Sequence, residues 1–186
     1  GGVENSNINL TRELRNLGFD AELLTNNIIV SKFAVDENTE IRSLNRSKML
    51  FSVFALINYI KLNKPDLIIC SQFYANIIIL IACVISGYKN KLILCERVPV
   101  KENLKNIWFF KRIMLKILLK YLYIKADCIV CNSYVTKYEL DEFVSNPNTV
   151  VIYNPVITNN INTNANSKVD DYDFDPTVVY MTAITR

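Results

Sequence analysis

The chain contains no histidine in its 186 residues. That excludes imidazole acid–base catalysis, imidazole metal ligands and any Ser-His-Asp triad from this stretch. Long uncharged apolar runs are also missing. No segment approaches the roughly 20 residues that a bilayer-spanning helix requires, so no transmembrane helix is expected. The opening residues, "GGVENSNINLTREL", are polar and helix-like, which speaks against a signal peptide. Cysteines number five, at 70, 83, 95, 128 and 131, an odd count set mostly in apolar runs. They read as reduced, buried thiols of a cytosolic protein. Cys128 and Cys131 match C-x-x-C, but "ADCIVCNS" alternates like a strand, and no second pair completes a zinc site.

What is present describes a folded α/β chain. Half the residues are apolar (51%), with 9 Phe and 10 Tyr, which excludes a disordered segment. The length suits one sizeable core, or one domain and part of a second. Ile8, Leu10, Leu14 and Leu17 form a helical stripe closed by Gly18. "FDAELLT" (19–25) then alternates as a strand. "KMLFSVFALINYIKLN" reads as a helix, and Pro65 opens the next unit. "DLIIC" (66–70) is a continuously apolar strand of the kind buried on both faces of a parallel sheet. "ANIIILIACVI" is a helix ended by Gly87, and "KLILCE" (91–96) is the next strand. A long helix is expected over 101–124, "DCIVC" as a strand, "VTKYELDEFV" as a helix and "TVVIYN" as a strand.

Strands alternating with helices through short loops predict a doubly wound, Rossmann-like parallel sheet. In such sheets ligands bind beyond the carboxyl ends of the strands. That points to the segments just after each strand, Ser71-Gln72-Phe73, Glu96-Arg97, Asn132-Ser133 and Asn154-Pro155, with Ser71, Glu96, Arg97, Ser133 and Asn154 as the candidate site residues. Beyond Pro155 the character changes. "ITNNINTNANSK" is Asn-rich and low in complexity, and reads as a linker. A strand restarts near Thr177 and stops at Arg186. The expected layout is an amino-terminal domain over 1–156, a linker over 157–175 and the start of a second domain over 176–186.

The order of these pieces resembles the amino-terminal half of GT-B-type glycosyltransferases of family 4. The resemblance runs through "GGVE", "NLGFDAELLT", "KPDLIICSQ", "KLILCERVP", "ADCIVCNSYVTKYEL" and "VVIYNPV" to "VVYMTAITR", nearly the whole chain. Each motif is weak alone, and their order and spacing carry the specificity. In that family a first strand, missing here, runs into a glycine-rich loop and then a helix, so the chain reads as a fragment. Gly1 and Gly2 would be that loop, where a bare backbone approaches the phosphates of a sugar nucleotide. A plain helix-capping pair is the other reading.

The resemblance further implies that Glu96 and Arg97 of "CERVP" face the acceptor and the reacting sugar. Glu96 would orient a sugar hydroxyl, and Arg97 would hold a phosphate bidentately. The family often carries a histidine in this region, and none is available. A surface or interdomain ion pair is the competing account of these two residues. Ser71 and Ser133 lie where the family places cleft contacts, although Ser133 also fits a helix N-cap. Asn154 and Pro155 match the entry to the interdomain linker. Arg186, closing the segment that starts the nucleotide-holding second domain, would bind the donor's phosphates with Gly1 and Gly2.

Residues 101–125, "KENLKNIWFFKRIMLKILLKYLYIK", carry seven Lys or Arg against Glu102 alone. On one continuous helix Lys101, Lys105, Arg112, Lys116 and Lys120 share a stripe, with Phe110, Ile113, Ile117 and Tyr121 opposite and covering the sheet. Lys105, Trp108, Arg112 and Lys116 then read either as contacts to an anionic membrane surface or as a solvated face. Nucleic acid is a weaker partner, because one basic helix without a recognition fold is a poor footprint.

The resemblance thus implies a glycosyltransferase that moves a sugar from a nucleotide-sugar donor to a glycan or lipid-linked acceptor. The setting would be cell-surface polysaccharide or glycoconjugate synthesis, and the enzyme cytoplasmic, peripheral on the inner face of the plasma membrane. No cofactor or metal is expected, the nucleotide sugar being a substrate. Two rivals stand beside it. Another nucleotide-binding α/β enzyme would need a full glycine fingerprint and a ribose-binding acid. A non-catalytic membrane- or partner-docking module would need only the basic helix.

Overall fold

The computed structural model describes residues 2–26, 40–44 and 51–154. Gly1, the expected linker at 157–175 and the expected strand restart at 176–186, with Arg186, lie outside these residues. In chain order the elements are α1 (Gly2–Asn16), β1 (Leu23–Thr25), β2 (Ile41–Ser43), α2 (Ser52–Asn63), β3 (Leu67–Ser71), α3 (Phe73–Ser86) and β4 (Lys91–Glu96). They continue with α4 (Val100–Leu104), α5 (Phe109–Leu122), β5 (Cys128–Cys131), α6 (Tyr134–Asp141) and β6 (Thr149–Val151). β3, β4, β5 and β6 form a parallel sheet in that order, and β1 and β2 form a separate parallel pair. The fold is the expected α/β architecture, parallel sheets flanked by helices.

Register fixes what lies at the carboxyl edge. Ser71 stands opposite Cys95, Glu96 opposite Cys131, and Cys131 opposite Val151. The ends of all four strands therefore fall on one rim. Parallel strands need crossovers. Here α3 crosses from β3 to β4 and α6 from β5 to β6, each packed on the strands it joins. Almost every side chain of α3 is apolar, so the helix is buried against the sheet, α2 and α5, with Leu80 and Ala82 wholly enclosed. Leu94 on β4, Leu119 on α5 and Ile129 on β5 complete the centre of the core.

Two helices stop where glycine permits it. Gly18 and Gly87 take φ +88° and +74°, a left-handed conformation costly for residues with a Cβ. The Phe19 and Tyr88 amides that follow donate back to the Leu14 and Cys83 carbonyls, both at 3.0 Å, closing the last turns.

Several expectations need correction. The strand at 19–25 is only Leu23–Thr25, and it pairs with a short strand at 41–43 that the pattern did not announce. The stripe of α1 is rotated: Ile8 and Thr11 are its buried residues, while Leu10 and Leu17 face solvent. Thr11 is tolerated inside because its hydroxyl donates to the Asn7 carbonyl at 2.9 Å.

The expected helix over 101–124 is broken. α4 ends at Leu104, and Trp108 is extended (ψ 142°) before its carbonyl accepts from the Arg112 amide to start α5. Asn106, Ile107 and Trp108 are all modest helix formers, so nothing local resists the break. The single lysine stripe therefore does not exist. Lys101 pairs with Glu142 at 2.7 Å and Lys105 with Glu102 at 3.6 Å on the far side of the break. Phe110, Ile113, Ile117 and Tyr121 do not cover the sheet either. That task falls to Leu115 and Leu119, with Leu118 and Leu122 half-buried beside them.

Candidate active site at the carboxyl edge of the sheet

The rim formed by the ends of β3, β4 and β6 lies beside the first turns of α1. Ser71, the last residue of β3, donates its hydroxyl to the Asn7 side-chain oxygen at 3.0 Å. Arg97, one residue past β4, reaches in two directions. One Nη donates to the Asn154 side-chain oxygen beyond β6, and the other lies 3.4 Å from the Ser6 hydroxyl of α1. Ser6, Asn7, Ser71, Arg97 and Asn154 thus form one polar cluster drawn from four parts of the chain.

Arg97 is half-buried, and no ion pair among the described residues includes it. Its Nε is enclosed without a hydrogen-bond partner among the described residues. A guanidinium is always charged, so among these residues its positive charge is met only by neutral oxygens. Its backbone is held too, because the Asn132 side chain donates to the Arg97 carbonyl at 2.9 Å. Asn132 is itself fixed by the Thr136 hydroxyl at 2.9 Å. The result is a positioned cation with unused donor capacity, suited to a phosphate or other oxyanion.

Glu96 lies elsewhere than the rim surface. Alternation along β4 puts it on the same buried face as Leu92 and Leu94, and only 1% of it is exposed. Its Oε1 accepts from the Tyr123 hydroxyl at 2.5 Å and from the Asn76 amide at 2.8 Å. Its Oε2 has no partner among the described residues. Burial pushes the carboxyl up to about 6, against the opposing effect of those two hydrogen bonds. Glu96 and Arg97 do not pair with each other, and neither forms an ion pair among the described residues.

The remaining expected residues divide between the rim and structural tasks. Ser133 caps α6: its hydroxyl accepts from the Thr136 amide at 3.1 Å in an extended N-cap conformation. Gly2 is the first residue of α1 with open space around it, so no close backbone approach to other protein atoms requires glycine there. Cys128 and Cys131 lie three apart on a strand and so point to opposite faces, and all five thiols are free. Burial pushes the Cys131 thiol up to about 12.

Gln72 lies in the segment after β3 that the sequence pointed to, but its backbone conformation was not foreseen. It follows β3 directly, caps α3 and has φ +90°, ψ 135°, a conformation that non-glycine residues rarely adopt. The strain is held from both sides. Its amide donates to the Cys95 carbonyl at 3.3 Å, and its carbonyl accepts from the Asn76 amide at 2.8 Å. Ser6, Asn7 and Asn76 were missed, whereas Asn132 lies in the expected segment after β5. Asn76 alone left a signal, as a single polar residue inside an apolar helix.

Neither the curated proteins nor the solved structures compared with this chain gave a match. The family model described as Glycosyltransferase Family 4 matches residues 1–160, in line with the parallel α/β sheet flanked by helices. On that match, the chain belongs to glycosyltransferase family 4.

Proposed function

We propose that this domain serves a hexosyltransferase that takes its sugar from a nucleotide-sugar donor and passes it to a glycan or lipid-linked acceptor. The pathway would be cell-surface polysaccharide or glycoconjugate synthesis. Family membership supplies the reaction class, with sugar donors and acceptors as substrates. The observation that carries the finer reading is Arg97, a held guanidinium without a carboxylate partner among the described residues, on the rim where parallel sheets bind ligands.

Sugar transfer from such a donor breaks the bond between the anomeric carbon and a phosphate oxygen. The departing diphosphate gains negative charge as that bond lengthens. A fixed cation beside it stabilises the transition state more than the ground state. Ser71 and Asn154 would meet hydroxyls of the acceptor or the sugar. Glu96 acts as a positioning residue for the strand that presents Arg97, through its buried bonds to Tyr123 and Asn76. The nucleotide sugar is a substrate, and the proposal includes no cofactor or metal. A cytoplasmic setting fits the five free thiols.

The test is transfer activity of the polypeptide carrying this domain against a panel of nucleotide sugars and acceptors. Transfer from at least one donor is expected. Absence of both transfer and donor hydrolysis across the panel would overturn the reading.

A further inference from the structure

α5 is apolar on two faces. Leu115, Leu119 and their half-buried neighbours Leu118 and Leu122 face the core. Phe110, Ile113, Ile117 and Tyr121, spaced three, four and four apart, form a second stripe that is largely exposed to solvent among the described residues. Phe110 is 64% exposed, Ile117 53% and Tyr121 62%. Trp108 and Phe109 extend the stripe at the start of the helix, Trp108 being 74% exposed with its ring 4.9 Å from that of Phe110. Leaving so many large side chains in water is unfavourable, and such a face normally marks a surface that something covers.

The charge around the stripe identifies what covers it. From Asn103 to Ala126 there is no Asp or Glu, while Lys105, Lys111, Arg112, Lys116, Lys120 and Lys125 are all present. On α5, Arg112, Lys116 and Lys120 run alongside the stripe by steps of four. Their described partners there are aromatic faces rather than carboxylates: Arg112 over Phe109, Lys116 over Phe143, Lys120 over Tyr121. A second copy docked face to face would set one cationic rim against another. An anionic lipid surface satisfies both features, taking the apolar side chains at the headgroup–acyl boundary and neutralising the lysines.

We propose that α5 docks on an anionic membrane by inserting the Phe110–Ile113–Ile117–Tyr121 stripe, led by Trp108 and Phe109. The lysines guide and orient the helix, and insertion supplies the attachment. No described helix is long and apolar enough to cross a membrane, so the contact is interfacial. The proposal stands apart from the transferase reading, because vesicles of plain phospholipid contain no glycosyl acceptor.

Trp108 is the only tryptophan in the chain, so its fluorescence reports on this surface directly. The full chain is mixed with phosphatidylcholine vesicles containing or lacking about one third phosphatidylglycerol, and both Trp emission and co-sedimentation are followed. With anionic vesicles, a blue shift, protection from a soluble quencher and co-sedimentation are expected. Raising salt to about 0.5 M, where screening is nearly complete beyond a few ångströms, should reduce binding without abolishing it. The pair Ile113→Ser with Ile117→Ser should lose at least about tenfold in affinity with an unchanged circular dichroism spectrum. Leu119→Ala, on the buried face, should lower stability yet keep vesicle binding. No binding by the wild type, equal binding by the Ile113/Ile117 variant, or self-association that the same variant abolishes would each overturn the proposal.

Discussion

The Tyr123 hydroxyl donates to the Glu96 carboxylate across the core, joining the turn after α5 to the last residue of β4. Both residues are almost completely enclosed. Asn76 on α3 donates to the same oxygen and also to the Cys95 carbonyl at 3.1 Å. Two elements, α3 and the turn after α5, are thus tied to the strand end immediately before Arg97. Burying a carboxylate is costly, and two hydrogen bonds to one oxygen only partly offset the lost hydration. The network fixes the rim at some expense in stability.

That expense should appear in the pH dependence of folding. Burial raises Glu96 from 4.5 to about 6, so between these values the folded chain binds a proton that the unfolded chain has released. The contribution of Glu96 to stability is therefore greatest below 4.5 and declines as pH rises through 6. The loss is of order 2 kcal/mol by pH 7. Glu96→Gln removes the charge and keeps an oxygen for Tyr123 and Asn76, so it should flatten this segment of the profile. Urea denaturation of both proteins at pH 5 and pH 7 measures it. An unchanged slope in Glu96→Gln would mean that the carboxylate is better solvated than its burial indicates.

Arg97 should respond to phosphate more than to folding. A charge-assisted hydrogen bond contributes about 1.5–3 kcal/mol, so losing the guanidinium should weaken oxyanion binding roughly 10- to 100-fold. Nucleoside diphosphate should raise the Tm of the wild type through preferential binding to the folded state. The shift should shrink in Arg97→Lys, which keeps the charge and loses the fork, and vanish in Arg97→Ala. Without ligand the three proteins should unfold within about 1 kcal/mol of one another, as expected for a side chain outside the core. Equal ligand shifts in wild type and Arg97→Ala would remove Arg97 from the phosphate site.

The parallel sheet was legible because its strands are short apolar runs separated by helices, and every one from Leu67 onward starts within one residue of its expected place. The rim was legible as a location, since strand ends follow from strand positions. Which side chains turn toward the rim was harder to read. The alternation Leu92, Leu94, Glu96 already placed Glu96 on a buried face, but proximity to Arg97 and the family pattern drew it to the cleft. Ser6 and Asn7 join the cluster through a fold 64 residues or more in sequence from their partners, which no local pattern encodes. The two apolar faces of α5 defeated the periodic reading for another reason. Hydrophobic period finds an apolar face and cannot say which of two is covered. The family resemblance was legible because it rests on order and spacing rather than on any one side chain.

Gln72 offers a test in which stability and function move in opposite directions. At an ordinary helix position alanine is more stable than glycine by about 0.5–1 kcal/mol, because glycine loses more freedom on folding. At φ +90° the order should reverse, since a Cβ there costs on the order of 1–3 kcal/mol that glycine avoids. Gln72→Gly should therefore be more stable than Gln72→Ala by about 1 kcal/mol, and at least as stable as the wild type. Strain at the carboxyl end of a parallel strand persists because the flanking hydrogen bonds to Cys95 and Asn76 impose it. If it serves to aim the Gln72 side chain at a ligand, the glycine variant should bind nucleoside diphosphate or acceptor more weakly despite its higher Tm. Thermal unfolding of the three proteins, with and without ligand, separates the two effects. A glycine variant less stable than the alanine variant would show that the backbone relaxes on substitution and that no strain is stored at this position.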